Sequence, residues 1–247
     1  PYRIWLRHNT RSKYKGLSFM RSIATGICLL FLTQAAAADV VAVIGTGRVG
    51  SALGTELADQ GHSIVYGSRN PTTEAVRDLV ERTGNGAKAR FQAQAVDGAD
   101  IVILAVPGLL AGDITKNLGD LAGKIIIDPT NPLNFTAEGV SHGVPTSNGE
   151  IIQAAAPDAF VVKAFNVLSW EYMIDPASSG GPISVPLAGN DDDAKARVAE
   201  IVASLDLHPI NVGAIDQSRW IEGMAILLIH NNFTPLPAFN FHMREVQ

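Results

Sequence analysis

With 247 residues, 47% of them hydrophobic and 17% charged, the chain can bury a sizeable core and is too apolar to be a disordered segment. Its one cysteine, Cys28, excludes a disulfide framework, a four-thiolate zinc site and a CxxC redox pair. The net charge of −5 is unevenly spread: residues 1–38 hold six basic side chains and no acidic one, so residues 39–247 carry 13 Lys and Arg against 24 Asp and Glu, and a body that acidic is expected to repel nucleic acid.

The chain opens with a segment read as processing sequence. Met20-Arg21-Ser22 is a basic start, Ile23 to Leu32 an apolar run, and Ala36-x-Ala38 a small-residue cleavage pattern, together a secretory signal peptide over Met20–Ala38. Residues 1–19 read as sequence upstream of it. Export to a periplasmic or extracellular compartment is the expectation, with a cytoplasmic protein whose residues 23–32 form a buried helix as the alternative. The run is shorter than the roughly 20 apolar residues of a membrane span, so no stable span is expected after processing.

From Asp39 onward, strands and helices alternate. Val40 to Ile44 is a β-branched apolar run that ends on Gly45-Thr46-Gly47-Arg48-Val49-Gly50 and leads into a helix to Gln60. Ser63 to Ser68 reads as a second strand, Thr72 to Arg82 as a helix, Ile101 to Val106 as a strand, Leu109 to Leu118 as a crossover helix and Ile125 to Asp128 as a strand. Ala159 to Ala164, Ile183 to Ala188 and Pro209 to Val212 follow as strands, with a helix over Asp191 to Leu205 and a long apolar helix over Gln217 to Asn231. The pattern predicts an α/β fold, a doubly wound, mostly parallel (Rossmann) sheet with right-handed crossovers and ligands at the carboxyl ends of its strands. We divide the chain into 1–38, a nucleotide-binding domain over 39–165, and a C-terminal segment over 166–247 for the acceptor site or for oligomerisation.

The glycine turn has the full context of a dinucleotide site, with a strand before it, a helix after it and a second strand ending about 20 residues on. Gly45 permits the tight turn, Gly47 admits a pyrophosphate, and Gly50 lets the helix approach the strand. An NAD site places a carboxylate at the end of the second strand. This chain has Gly67-Ser68-Arg69-Asn70-Pro71, where Arg69 can fork onto a 2′-phosphate and Ser68 can donate to it, so NADP(H) is the expected cofactor. Two proline turns, Ala105-Val106-Pro107-Gly108 and Asp128-Pro129-Thr130-Asn131-Pro132, close successive strands at the edge where a nicotinamide would lie.

These segments, with Val162-Lys163-Ala164-Phe165-Asn166, resemble the NADPH-dependent coenzyme F420 reductases (F420-dependent NADP oxidoreductases), a family similar in turn to the reductase domain of the STEAP metalloreductases. The resemblance runs from Asp39 to about Trp220. It implies hydride transfer between NADPH and a small-molecule acceptor stacked on the nicotinamide, with F420, a flavin or a ferric chelate as the candidates. It also implies that Thr46, Arg48, Val49, Ser68 and Arg69 grip NADP and that Val106, Pro107, Asn131 and Ala164 surround the nicotinamide end.

No HExxH or P-loop motif occurs. Hydride transfer between stacked rings needs orientation more than acid or base, so no catalytic residue is assigned; His142, read as lying in a Gly-rich loop, is a candidate proton relay, and Lys163 a candidate partner for an anionic acceptor or a solvent-facing strand end. His208 and His230 read as structural. Asp191-Asp192-Asp193 reads as a helix start and not as a metal site. The apolar stripe of residues 217–231 reads as core or a homodimer contact, and Asn134 and Asn232 each open an N-x-T sequon. Competing readings are an imine or carbonyl reductase of the pyrroline-carboxylate reductase type and a non-catalytic NADP-binding redox sensor. The first lacks an evident proton donor, because neither Tyr66 nor Tyr172 has a Lys four residues on.

Overall fold

The computed structural model describes residues 38–231 and 240–244, and these described residues belong to one compact unit. The signal-peptide reading, Cys28 and the Asn232 sequon lie outside the described residues, apart from Ala38. The elements run β1 (Val40–Ile44), α1 (Arg48–Asp59), β2 (Ser63–Ser68), α2 (Glu74–Thr83), β3 (Lys88–Phe91), α3 (Gln92–Val96) and β4 (Ile101–Leu104), then a 3-10 turn (Gly108–Leu110), α4 (Ala111–Lys116) and β5 (Ile125–Asp128). They continue with β6 (Leu133–Thr136), β7 (Gly139–His142), α5 (Asn148–Ala155), β8 (Phe160–Lys163), α6 (Trp170–Ile174), β9 (Ser184–Gly189), α7 (Asp192–Ser204), β10 (His208–Gly213) and α8 (Ser218–Asn231).

Eight strands form one sheet in the order β10-β9-β8-β5-β4-β1-β2-β3, and β6 and β7 form a separate hairpin. The central strands are apolar on both faces because helices cover both. Val41 and Val43 pack in one cluster with Leu53 and Leu57 of α1, while Ala42 and Ile44 pack in the other with Val102, Leu104 and Ile152 of α5. Each buried Val, Leu or Ile of these layers contributes roughly 1.5–3 kcal/mol relative to exposure, which is why the strands read as continuous hydrophobic runs.

One departure from the predicted alternation shapes the site. β9 pairs antiparallel with β8, and β10 is parallel to β9, so the last two strands run against the other six. A reversed β9 begins at the edge where β8 ends. The connection over residues 164–183, α6 included, therefore stays at the carboxyl edge and does not cross the sheet. The sheet also runs on past residue 165, since β9 and β10 complete it. Six elements gave no sequence signal. β3 is an edge strand with a polar, exposed sequence, the hairpin strands β6 and β7 have four residues each, and α3, α5 and α6 are short. The expected helix over 109–118 divides into the 3-10 turn and α4. At the start of α7, Asp191 accepts from the Ala194 amide at 2.7 Å, a helix cap as the sequence suggested.

Candidate functional site

The turn after β1 is built by close approaches that only glycine permits. Gly45 sits at φ +109°, and a Cβ there would lie 2.1 Å from the Ala105 carbonyl oxygen; a Cβ on Gly50 would lie 2.1 Å from the Gly45 oxygen. Gly47 is different, because a Cβ there would meet nothing within 4 Å. That space lies at the N-terminus of α1, which has no side-chain cap and no acidic residue in its first turn, so its amides and positive dipole end are open to an anion. Thr46 and Val49 are half-buried beside this space and Arg48 is exposed.

These geometries predict opposite outcomes for two alanines. Gly45→Ala should cost at least about 2 kcal/mol of stability, through the clash and the positive φ. Gly47→Ala should fold with a loss of about 1 kcal/mol or less and bind NADP(H) at least about tenfold more weakly. Thermal unfolding beside cofactor titration checks both, and equal cofactor affinity of Gly47→Ala and the unmutated protein would overturn the assignment of that space.

At the end of β2, Ser68 is buried and its Oγ accepts from the Asn70 amide at 3.2 Å, which leaves the hydroxyl proton to donate. Asn70 accepts from both the amide and the hydroxyl of Thr72, an Asx turn that holds the loop. Arg69 projects from this loop into solvent. Next to it, β3 sets Arg90 opposite Gly67, a second basic residue at this edge that the sequence had not revealed.

The two proline turns interlock. A Cβ on Gly108 would lie 1.9 Å from the Asn131 carbonyl oxygen, so the turns after β4 and β5 touch backbone to backbone. Asn131 donates through Nδ2 to the Asn166 carbonyl at 2.8 Å, and Asn166 returns a bond from Nδ2 to Asn131 Oδ1 at 2.9 Å. Between them, Phe165 is held at φ +64°, a conformation that costs a non-glycine residue of order 1–3 kcal/mol. Val106 is half-buried and Pro107 exposed at this edge, whereas Ala164 is fully buried and can present only its backbone.

Beside Asn131 and Asn166 lies a cavity of about 610 Å³, within the usual range for small-molecule sites. Its walls come from Val49 of α1, Pro129, the 165–172 connection including Trp170 and Tyr172, and Ala225, Leu228 and Ile229 of α8; Asn240 and His242 of the tail complete it. The Arg48 guanidinium stands 6.0 Å from the Trp170 ring centroid, linking the phosphate end to this cavity. Another cavity of about 610 Å³ opens along α5 near Asn190 and Asp191, and no residue of the glycine turn, the β2 end or the proline turns lines it.

Lys163 and His142 require correction. Lys163 is fully buried, and its ammonium donates to Asp128 Oδ2 at 2.7 Å and the Thr130 carbonyl at 2.6 Å and pairs with Glu222 Oε1 at 2.7 Å. All three of its protons are committed, so it neither faces solvent nor reaches an acceptor. His142 is on β7, not in a loop, and both ring nitrogens are engaged: Nδ1 faces the Val144 carbonyl at 2.7 Å and Nε2 faces Glu222 Oε2 at 3.3 Å. Neither residue lines the cavity. Instead they belong to a buried lock. Glu222 of α8 accepts from the Asn148 and Gly149 amides at the N-terminus of α5, and Asp128 accepts from the Thr130 amide and hydroxyl, so Lys163 fixes the backbone just before Asn131. Burial raises the Glu222 carboxyl above its ordinary range, Lys163 opposes this and Asp128 adds to it. Of the other tyrosine and histidine readings, Tyr66 is buried under α1 with its hydroxyl 2.8 Å from Thr83 Oγ1, and His230 joins α8 to the hairpin through Val140.

The sequence reading missed Phe165, Asn166, Trp170, Tyr172 and His242 as wall residues, and Glu222 as the partner of Lys163. A lone carboxylate in the apolar run of α8 was the available signal for the last, and the aromatic pair Trp170 and Tyr172 just past the Asn166 turn for the walls.

Residues 40–132 match the family model described as NADP oxidoreductase, coenzyme F420-dependent. A proposed F420-dependent NADP reductase from Arthrobacter sp. FB24, solved by crystallography, is 33% identical to the chain, with a TM-score of 0.72, covering 77% of this chain and 92% of that one. The chain belongs to the F420-dependent NADP oxidoreductase family. A hypothetical protein from Sinorhizobium meliloti is 31% identical at a TM-score of 0.65, covering 83% of this chain and 96% of that one. The metalloreductase STEAP3 of Rattus norvegicus is 31% identical over 193 residues, 78% of this chain. The chain spans only 37% of that relative's length. This family member is an NADP-dependent oxidoreductase with a Rossmann-type fold. Among the described residues, no helix is long and apolar enough to cross a membrane.

Proposed function

We propose that the protein transfers hydride between NADP(H) and a planar acceptor, either a deazaflavin of the F420 type, a flavin or ferric iron reached through one, held in the cavity beside Asn131 and Asn166. The observation that carries this reading is adjacency: the second proline turn, through Pro129 and Asn131, lines a cavity walled by Phe165, Trp170 and Leu228, and the first turn packs against it at Gly108. NADPH, when bound, supplies the hydride from its nicotinamide. Gly45, Thr46, Gly47, Arg48, Val49 and Gly50 would receive the pyrophosphate on amides and the helix dipole, and Ser68 and Arg69 the 2′-phosphate. Val106, Pro107 and Asn131 would flank the nicotinamide ribose and ring, with Ala164 contributing backbone only. The Asn131–Asn166 pair fixes the ring wall, and the apolar walls keep water from the transfer path. The STEAP metalloreductase relatives support iron among the acceptors. Export behind residues 20–38 belongs to the same proposal, and N-terminal sequencing of protein expressed from Met20 decides it.

The test is NADPH consumption against F420, FMN, riboflavin and a ferric chelate, beside pyrroline-carboxylate and a simple ketoacid. Turnover is expected with at least one of the first four. Turnover confined to the last two would replace this reading with the imine or carbonyl reductase.

A further inference from the structure

The charge around the acceptor cavity discriminates between planar rings that are otherwise alike. We propose that this cavity takes an uncharged planar aromatic ring carrying no phosphate or carboxylate, and that Glu171 at its mouth is the residue that rejects anionic acceptors. The inference rests on the hydride-transfer reading above and names the acceptor class within it.

Among the described residues lining the cavity, none is Lys or Arg, and Glu171 is the carboxylate. Glu171 is exposed, accepts from the Ser169 hydroxyl, and is held below the usual carboxylate range by that bond, so it stays ionised in neutral solution. His242 is held below the usual histidine range by burial and by Arg244, so it offers no counter-charge there. Arg244 itself lies against Gly181, before β9. The stretch from residue 220 to residue 243, which takes in α8 beyond Arg219 and leads to the tail, contains no Lys or Arg, and Arg219 itself is paired with Glu150. Arg48 is the guanidinium that approaches, over Trp170, and it stands at the glycine turn where the cofactor's phosphates would claim it and add negative charge of their own.

A ring bearing a phosphate would therefore meet Glu171 and the cofactor phosphates with only Arg48 nearby, a guanidinium that Glu171 and the cofactor phosphates already share, and an under-compensated charge is an effective means of rejection. A neutral ring meets apolar walls and two unsatisfied atoms, Asn166 Oδ1 and His242 Nδ1. Asn166 is 5% exposed and lines the cavity, and its Oδ1 is buried without a partner at full hydrogen-bonding strength, an acceptor suited to a ring imide N–H. In the reaction, such a ring gains two electrons and one proton as hydride from NADPH and a second proton from water; NADPH is oxidised to NADP⁺ and the ring is reduced to its dihydro form.

Riboflavin and FMN share one ring and differ by a phosphate, so they isolate the charge. With NADP⁺ present, quenching of flavin fluorescence should give riboflavin an affinity at least about fivefold higher than FMN at low ionic strength, and kcat/KM should follow the same order. The gap should narrow at about 1 M salt, where the screening length falls to about 3 Å. Glu171→Gln should shrink the ratio and Glu171→Lys should close or reverse it. FMN or F420 bound as tightly as riboflavin by the unmutated protein, or a ratio untouched by Glu171→Lys, would overturn the inference while leaving hydride transfer intact. Absence of turnover and binding with every acceptor, F420 included, would overturn both.

Discussion

Arg69→Asp should convert the protein from a preference for NADPH to a preference for NADH. In the unmutated protein, NADPH is expected to bind at least about tenfold tighter than NADH, a difference of about 1.4 kcal/mol, because Arg69 and Ser68 meet the 2′-phosphate and no carboxylate stands at the end of β2. A hydrogen bond to a charged group contributes about 1.5–3 kcal/mol, so losing the guanidinium should cost roughly 10- to 100-fold in NADPH affinity. The new carboxylate adds repulsion to the phosphate and supplies an acceptor for the free 2′-hydroxyl of NADH. Arg69 is exposed, so the fold should tolerate the change. Titration with both cofactors decides the matter, and equal affinities in the unmutated protein would sink the assignment before any mutant is made.

The second large effect concerns the buried lock. Lys163→Met leaves Asp128 and Glu222 facing one another without their shared cation, and breaking a buried pair in this way costs about 3–5 kcal/mol. For a domain of this size, that corresponds to a fall of roughly 6–20 °C in Tm. Glu222→Gln is the informative companion, since the amide oxygen still accepts from Lys163 and from the Asn148 amide but no longer titrates. The folded protein holds the Glu222 proton above the ordinary carboxylate value of 4.5, chiefly because burial penalises the charge. More protons are then bound folded than unfolded, so this group's contribution to stability is full below about pH 4.5 and is lost as pH rises through the raised value. The stability of Glu222→Gln relative to the unmutated protein should climb with pH over that interval. A difference that stays flat from about pH 4 to 8 would mean that Glu222 titrates as an ordinary carboxylate.

The sequence by itself determined the features that depend on near neighbours. Val40 to Ile44 is apolar at every position because both faces of the strand are covered, and Gly45, Gly47 and Gly50 follow because that turn needs a positive φ, an open approach and a close packing within six residues. The Ser68–Arg69 loop and both proline turns were legible on the same ground. Tertiary structure alone decided what Lys163 does, since its partners are Asp128, 35 residues before it, and Glu222 on a helix from the far end of the chain. It also decided the cavity. Pro129, Trp170, Leu228 and His242 have no mutual spacing that a pattern could reveal, and they meet because β9 reverses and keeps residues 164–183 at the carboxyl edge. Local periodicity encodes which side of an element is buried; it carries no information on which distant element does the burying, because that choice is made by the packing of the whole sheet.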